Sequence, residues 1–105
     1  MVVSADDTFR ALADATRRDI LSTVLHADHS VSDLARRYPM SFAAVQKHVA
    51  VLERAGLVTK TRAGREARVR GEVAGVRSAH GLLDQLEAQW RARVDRMDQV
   101  LGECP

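Results

Sequence analysis

Apolar residues recur at helical spacing near the start of the chain. Phe9, Leu12 and Ala13 fall on one face of a predicted first helix. Asp14 is a residue type that commonly caps helices, so a second helix is predicted to begin after it. The apolar positions of this second helix are Ile20, Leu21, Val24 and Leu25. The pattern therefore predicts two short helices at the start of the fold.

A third and a fourth helix are predicted next, joined by a tight turn. Ser30, with an aspartate three residues later, resembles a capping box and predicts a third helix over residues 31–38. Pro39 ends that helix, because a proline disfavours the helical conformation for the residue before it. Ser41 is the predicted N-cap of the fourth helix, and Gly56 can end it in the left-handed conformation. Two helices joined in this way form a helix-turn-helix.

The pattern then changes from helical to alternating. Residues 57–62 and 65–70 read as two strands joined through Ala63 and Gly64, which predicts a β-hairpin. A period of two places Ala67 and Val69 on one side of the second strand. We therefore expect a hairpin with an inner apolar side and an outer basic side.

A long helix is predicted over residues 78–101. Leu83, Trp90 and Met97 are spaced by seven, Leu86 and Val100 follow a second line with Ala79, and Val94 continues the stripe beside Arg93. So small a domain cannot cover this apolar surface alone, so we expect a second copy of the chain to cover it. The residues predicted to meet the partner are Leu83, Leu86, Trp90, Val94, Met97 and Leu101.

Composition and charge fit one mainly helical domain over residues 1–105, with residues 78–101 as its dimerisation helix. Hydrophobic residues make up 46% of the chain and aromatic residues 4%, so an aliphatic core is expected. The net charge is only +2, but residues 30–70 hold nine basic and three acidic residues, a balance of +6. A basic central module is typical of nucleic-acid binding, although a solvated basic face has the same pattern. No signal peptide or membrane span is recognisable, so a cytoplasmic protein without a membrane partner is expected.

The fourth helix has two different sides. Its apolar positions Val45, Val49 and Leu52 cluster on one side. The opposite side carries Ala43, Gln46, Lys47, Ala50 and Arg54. A glutamine there can pair with adenine, a lysine can reach guanine or a phosphate, and the helix N-terminus at Ser41 favours a phosphate. These features predict a recognition helix for double-stranded DNA.

Basic residues of the hairpin suit a wing that lies on the DNA backbone or reaches a minor groove, where positive charge releases counterions. His48 lies at the edge of the buried side of the fourth helix, where it can pack or hydrogen-bond a neighbouring element or a phosphate. The complete predicted DNA-binding set is Ser41, Phe42, Ala43, Gln46, Lys47, His48, Lys60, Arg62, Arg65 and Arg68.

Three segments resemble one known family. FRALADATR over residues 9–17, QKHVAVLERAGLV over residues 46–58 and RAGR over residues 62–65 look like the ArsR/SmtB winged-helix repressors. The resemblance implies a mainly α winged helix-turn-helix and a repressor that binds near a promoter, often its own. It also implies a homodimer in which the first and last helices meet, which adds Phe9 and Leu12 to the interface. Ala15 departs from the family, which frequently has proline there.

The metal sites of that family have no counterpart in the sequence. Metal-sensing members resemble one another in a Cys-Val-Cys-Asp-Leu segment, where this chain has SVSDL over residues 30–34, and hydroxyls are poor substitutes for thiolates. The family's other frequent metal site uses carboxylate and histidine ligands on the last helix, where this chain has only His80. The cluster His26, Asp28 and His29 is interpreted as a polar loop, and Cys104 as an unpaired thiol near the end of the chain. We therefore predict no metal site, no cofactor, no evident effector and no catalytic residues.

Two alternatives remain open at this point. One is a metal- or redox-responsive sensor of the same fold, which would use the histidines or the cysteine. The other is a winged helix that binds only another protein.

Overall fold

The computed structural model describes residues 4–102, which form five helices and a three-stranded antiparallel sheet. The elements are α1 Ala5–Leu12, α2 Ala15–His26, β1 His29–Ser30, α3 Val31–Ala35, α4 Phe42–Arg54, β2 Val58–Ala63, β3 Glu66–Gly71 and α5 Val73–Gly102. The mainly α winged helix-turn-helix expected from the sequence is confirmed. The two-residue strand β1 is an addition that the sequence pattern did not predict.

Helix starts and stops follow from local chemistry. The side chains of Asp14, Ser30 and Ser41 each accept a hydrogen bond from the backbone N–H three residues later, at 3.0, 3.0 and 3.1 Å. Each cap satisfies one of the N–H groups that a helix start leaves without an intrahelical partner. Gly56 has a φ of 73°, the left-handed conformation that ends α4. These four predictions are confirmed.

The core lies between α2, α3, α4 and the base of the hairpin. Its largest fully buried side chains are Ile20, Leu34, Val45, Val49, Leu52, Leu57, Val58 and Val69. Burying one such side chain contributes about 1.5–3 kcal/mol to folding. This core fixes α4 by one side only, which decides what the other side can do.

The first three helices differ in detail from the sequence prediction. In α1 the fully buried residues are Thr8 and Ala11, while Phe9 and Leu12 are half-buried. Ala13 is exposed, because α1 ends at Leu12 and its successor is only the cap. In α2, Leu25 is partly exposed instead of joining the core.

α3 is three residues shorter than predicted. It ends at Ala35, and Tyr38 leaves the helix and donates its hydroxyl hydrogen to Asp19 Oδ2 at 2.5 Å. The bond between these side chains competes with helix continuation ahead of Pro39. Burial, together with this hydrogen bond, raises the pKa of Tyr38 above its usual value.

The faces of the hairpin also differ from the prediction. Residues opposite each other in an antiparallel pair share a face, and Lys60 lies opposite Val69 while Arg62 lies opposite Ala67. The two basic side chains of β2 therefore share the face that was expected to be apolar. The prediction was wrong because alternation fixes the faces of each strand, whereas only the register decides which faces coincide. Basic side chains project from both faces of the wing, with Arg68 on the other one.

The last helix begins five residues earlier than predicted and extends far from the core. Its 30 residues correspond to about 45 Å at 1.5 Å per residue. The radius of gyration is 19.3 Å, whereas a compact domain of this length has about 13 Å. α5 therefore forms an extension whose outer part lies beyond the core.

Within residues 4–102, no helix is both long enough and apolar enough to cross a membrane.

The root of α5 lies against the turn that ends α4. Gly75 is so close to that turn that a Cβ added to it would clash with the carbonyl oxygen of Gly56. The backbone N–H of Glu72 also donates to the carbonyl oxygen of Leu57 at 2.8 Å. The end of α4 and the start of α5 are thus fixed to each other through their backbones.

Candidate nucleic-acid interface

α4 is anchored by one side and exposed on the other. Val45, Val49 and Leu52 are fully buried, whereas Gln46 and Lys47 are exposed. In the described part of the chain, neither Gln46 nor Lys47 forms an ion pair or a side-chain hydrogen bond. The division of the helix that its sequence predicted is therefore the one that the structure has, and both polar side chains are available to a ligand.

The start of α4 is exposed and sterically open. Ser41 uses its hydroxyl as the N-cap, Phe42 is a largely exposed aromatic side chain, and Ala43 presents only a methyl group. α3 packs against α4, with residues 36–41 as the turn between them. A small side chain next to an exposed helix start lets the backbone of this helix approach a surface closely.

The wing brings a second group of positive charges. Lys60, Arg62 and Arg65 are exposed, and none of them forms an ion pair with another of the described residues 4–102. Gly64 makes the tip with a φ of 65°. Because β2 packs against α4, the wing is held in a fixed position relative to that helix. The structure thus brings together the exposed side of α4 and three basic side chains of the hairpin.

Arg68 differs from the other basic residues of the wing. It is half-buried, with its guanidinium 3.8 Å from Glu66 and 3.5 Å from the backbone carbonyl oxygen of Asp28. These contacts direct part of its hydrogen-bonding capacity back to the protein. Of the four wing residues predicted from the sequence, Arg68 is the one least available to a ligand.

His48 lies at the boundary between the two sides of α4. It is half-buried, and its Nδ1 lies 3.3 Å from a terminal nitrogen of Arg17. Arg17 also lies beside Asp14, whose pKa is lowered chiefly by the hydrogen bond from the Arg17 backbone N–H, and further by the guanidinium charge. Periodicity did not single out Arg17, because its partner His48 is 31 residues away along the chain. Of the three roles left open for His48, the structure shows the contact with a neighbouring element, and the contact with a phosphate stays a prediction.

The residues expected to contact a second chain lie along the outer part of α5 and on α1. Leu83, Leu86, Trp90, Met97 and Leu101 are largely exposed and Val94 is half-buried. Phe9 lines an apolar cavity of about 380 Å³ between α1 and the root of α5. Leu12 packs against the core from its half-buried position.

The histidine cluster before β1 has other contacts in the structure. Nδ1 of His26 donates to the carbonyl oxygen of Ser22 at 2.7 Å, and His29 belongs to β1. Ser30 is buried as the cap of α3, and His80 pairs with Asp84 at 3.3 Å. Among residues 4–102, no three histidine, cysteine, aspartate or glutamate side chains are grouped to hold a metal ion. Cys104 lies outside the described residues.

Comparison with known sequences finds a helix-turn-helix domain family that matches residues 12–61. The chain is also 44% identical over 61 residues to the HTH-type transcriptional regulator Rv2034 of Mycobacterium tuberculosis. That match covers 58% of this chain and 57% of the regulator, so it extends over little more than half of the relative.

Comparison with solved structures extends the likeness to most of the chain. An ArsR-like transcriptional regulator from Rhodococcus sp. RHA1 is 36% identical, with a TM-score of 0.81 and 91% of each chain covered. HlyU from Vibrio cholerae is 29% identical, with a TM-score of 0.64, covering 78% of this chain and 89% of the other. Because 91% of this chain is covered, the likeness to the Rhodococcus regulator includes most of the long last helix.

Proposed function

Because the chain belongs to the ArsR family of winged helix-turn-helix transcriptional regulators, we propose that it is a sequence-specific DNA-binding repressor. It acts as a homodimer on an inverted-repeat operator near a promoter. The observation that carries this proposal is the exposed polar side of α4. It lies opposite the fully buried residues Val45, Val49 and Leu52 and beside a basic wing. Repression follows if the bound dimer covers DNA that the transcription machinery needs.

The exposed side of α4 enters the major groove and reads base edges. Gln46 offers an amide that can accept from and donate to one adenine, and Lys47 offers a charged donor for guanine or a phosphate. Ala43 and Ala50 leave room for the helix backbone to approach. Since the buried side of α4 is fixed in the core, its orientation is set before DNA arrives, which limits the entropy cost of binding.

The wing supplies affinity more than specificity. Lys60, Arg62 and Arg65 carry charges without protein partners among the described residues, so they can neutralise phosphates and release counterions. Arg68 contributes less, because Glu66 and a backbone carbonyl already engage it. Contacts to phosphates position the protein without reading sequence.

The homodimer is supported by the outer part of α5 and by α1. The exposed apolar side chains that recur along α5 are too many for a helix that stays in water alone. A second copy that brings the same stripe covers both surfaces about a twofold axis. Phe9 and Leu12 on α1 extend this interface toward the body of each subunit.

Twofold symmetry sets the form of the operator. Two recognition helices related by a twofold axis enter successive major grooves on one side of the duplex. Half-sites are therefore expected about 10 base pairs apart, or a multiple of that spacing, in inverted orientation.

Selection of bound duplexes from a random DNA pool tests the proposal. The expected result is a palindromic consensus, and a protein that selects no sequence, or only a single asymmetric half-site, contradicts it. Zinc and an oxidant are added in parallel titrations, because a sensor loses DNA affinity when its effector binds.

Two substitutions then distinguish a residue that recognises a base from a residue that binds phosphates. Gln46→Ala is expected to relax the preference at one base position, at a cost of about 1–3 kcal/mol. Arg65→Ala is expected to weaken binding to all duplexes alike and to reduce the salt slope by about 0.9. Gln85→Ala on α5 is the matched control for the first change. An unchanged consensus with Gln46→Ala would mean that α4 is oriented differently.

A further inference from the structure

The guanidinium of Arg17 joins three elements. Its Nε donates to the carbonyl oxygen of Ala11 at 2.8 Å, and one terminal nitrogen donates to the carbonyl oxygen of Arg10 at 2.9 Å. The other terminal nitrogen lies 3.3 Å from Nδ1 of His48. The side chain is only 16% exposed. Arg17 is therefore held by the end of α1 while it contacts the recognition helix.

This contact bears on which ring nitrogen of a neutral His48 carries the hydrogen. A guanidinium has donors and no acceptor, so Nδ1 of His48 must be the acceptor and carries no hydrogen. A neutral imidazole that accepts at Nδ1 carries its hydrogen on Nε2. The two carbonyl bonds of Arg17 keep the guanidinium from turning away, because its donors have a rigid planar arrangement.

The Nε2–H of His48 points to accessible space. Every buried side-chain nitrogen and oxygen among the described residues has a hydrogen-bond partner. Nε2 of His48 has no partner among these residues, so it is not a buried atom. Nε2 therefore reaches the protein surface. Half-buried His48 follows Lys47 by about 100° around α4 and lies at the boundary between the exposed and the buried side.

We infer that Arg17 is a positioning residue that holds His48 as the Nε2–H tautomer, so that the ring donates to a phosphate beside the recognition helix. The inference rests on the proposed function. A helix in the major groove turns its exposed side to the bases and its flanks to the phosphate strands that wall the groove. His48 lies at the edge of that side, and in the Nε2–H tautomer the ring donates a hydrogen bond without carrying a charge.

Nitrogen-15 NMR of the free protein tests the role of Arg17 directly. In the wild-type protein at neutral pH, His48 is expected to show a bare Nδ1 and a protonated Nε2. Arg17→Gln is expected to give a mixture of tautomers. A wild-type ring with hydrogen on Nδ1, or an unchanged ring in the variant, overturns the inference.

A second variant at the same position guards against loss of folding. If Arg17→Gln does not fold, Arg17→Lys replaces it, because one ammonium keeps the charge but cannot span two carbonyls and a ring nitrogen. The same change in the tautomer is expected.

Two substitutions of His48 test the contact with DNA. Asparagine places an acceptor where Nδ1 was but reaches no further, whereas glutamine places an N–H donor near the position of Nε2. Binding is measured on the selected operator and on a duplex of random sequence. His48→Asn is expected to weaken both about two- to tenfold, the effect of one hydrogen bond, and His48→Gln is expected to restore most of the loss.

Salt dependence separates a neutral donor from a charged one. His48→Asn is expected to leave the slope of affinity against salt unchanged, while the control Lys60→Gln lowers it by about 0.9. A similar drop for His48→Asn, or full affinity in that variant, overturns the inference.

A double-mutant cycle completes the test. Arg17→Gln is expected to weaken DNA binding in the wild-type background and to add little in the His48→Asn background. Equal losses in both backgrounds overturn the coupling. A wild-type protein that binds neither duplex overturns the proposed function and the phosphate contact, whereas the tautomer spectrum of the free protein still decides the role of Arg17.

Discussion

The body of the molecule, residues 4–82, and the arm, residues 83–102 of α5, use similar apolar residue types to opposite effect. In the body Ile20, Leu34 and Leu52 are fully buried against one another. In the arm every described side chain is exposed except Val94, which is half-buried, and Trp90 is 60% exposed. The body therefore buries most of its large apolar side chains within one chain, whereas the arm has an apolar stripe that this chain does not cover.

The body and the arm are therefore expected to be stabilised in different ways. Contacts in the body stabilise α4 at any protein concentration. Most of the stability of helices in proteins comes from the packing of their apolar face, so the stability of the arm is expected to depend on what covers its apolar side chains. The orientation of α4 is thus expected to depend on the body, and the spacing of two such helices on the arms.

The largest effect is expected from truncation in the body. Leu52→Ala removes a fully buried side chain and is expected to lower the free energy of unfolding by about 2–5 kcal/mol. The same truncation at Leu86, which is 54% exposed, is expected to change the unfolding of the body by less than about 0.5 kcal/mol. Urea unfolding at several protein concentrations measures both. If both variants lost the same free energy of unfolding at every protein concentration, Leu86 would belong to the core of the single chain.

The next largest effect is expected in the arm. Trp90→Ala removes the largest exposed apolar side chain and is expected to raise the dimer dissociation constant about tenfold or more, as for an interface hot spot. Gln99→Ala, on the opposite side of α5, is the control. Analytical ultracentrifugation measures the constant, and a monomer–dimer equilibrium unaffected by Trp90→Ala would remove the stripe from the interface.

A third prediction concerns the contact, within the body, between the start of α5 and the turn that ends α4, which sets the direction of the arm. Gly75→Ala places a methyl group against the carbonyl oxygen of Gly56, so α5 must shift at its root, at a cost of about 1–3 kcal/mol. Gly81→Ala meets no atom within 4 Å and is expected to stabilise the helix by about 0.5–1 kcal/mol. Thermal unfolding distinguishes the two, and operator affinity should fall only for Gly75→Ala. Identical behaviour of both variants would contradict close packing of Gly75 against Gly56.

The smallest effect is a pH dependence within the body. The pKa of Asp14 is lowered in the folded protein, chiefly by the hydrogen bond from the Arg17 backbone N–H. The resulting stabilisation is present above the unfolded pKa and is lost as the pH falls through the lower folded value. Asp14→Asn keeps a good cap without a titrating group, so its unfolding should vary less with pH below about 4, and Asp14→Ala should lose about 1 kcal/mol at neutral pH. Parallel pH profiles of wild type and Asp14→Asn would exclude this role.

Much of the fold was predictable because its signals are local. Asp14, Ser30 and Ser41 cap helices through bonds that span three residues, and Gly56 ends α4 through its own backbone angle. The exposed side of α4 also followed from the period of its apolar residues. The DNA-binding roles of Gln46 and its neighbours, and the dimer interface along the arm, remain predictions.

Other features depend on residues far apart in the chain. β1 is only two residues long and exists because β3 pairs with it. α3 ends early where Tyr38 bonds a residue of α2, and Arg17 meets His48 across 31 positions. Periodicity within one segment carries no information about such pairings.

The sequence by itself determined where most helices begin, where α4 ends and which side of α4 is buried, because caps, glycine conformation and apolar period act within a few residues. Only the tertiary structure decided that Lys60 and Arg62 share a face with Val69 and Ala67, that the root of α5 lies against Gly56, and that Arg17 fixes the His48 ring. Strand register and contacts between helices are set by packing of the whole chain, and that packing is not encoded in any single segment.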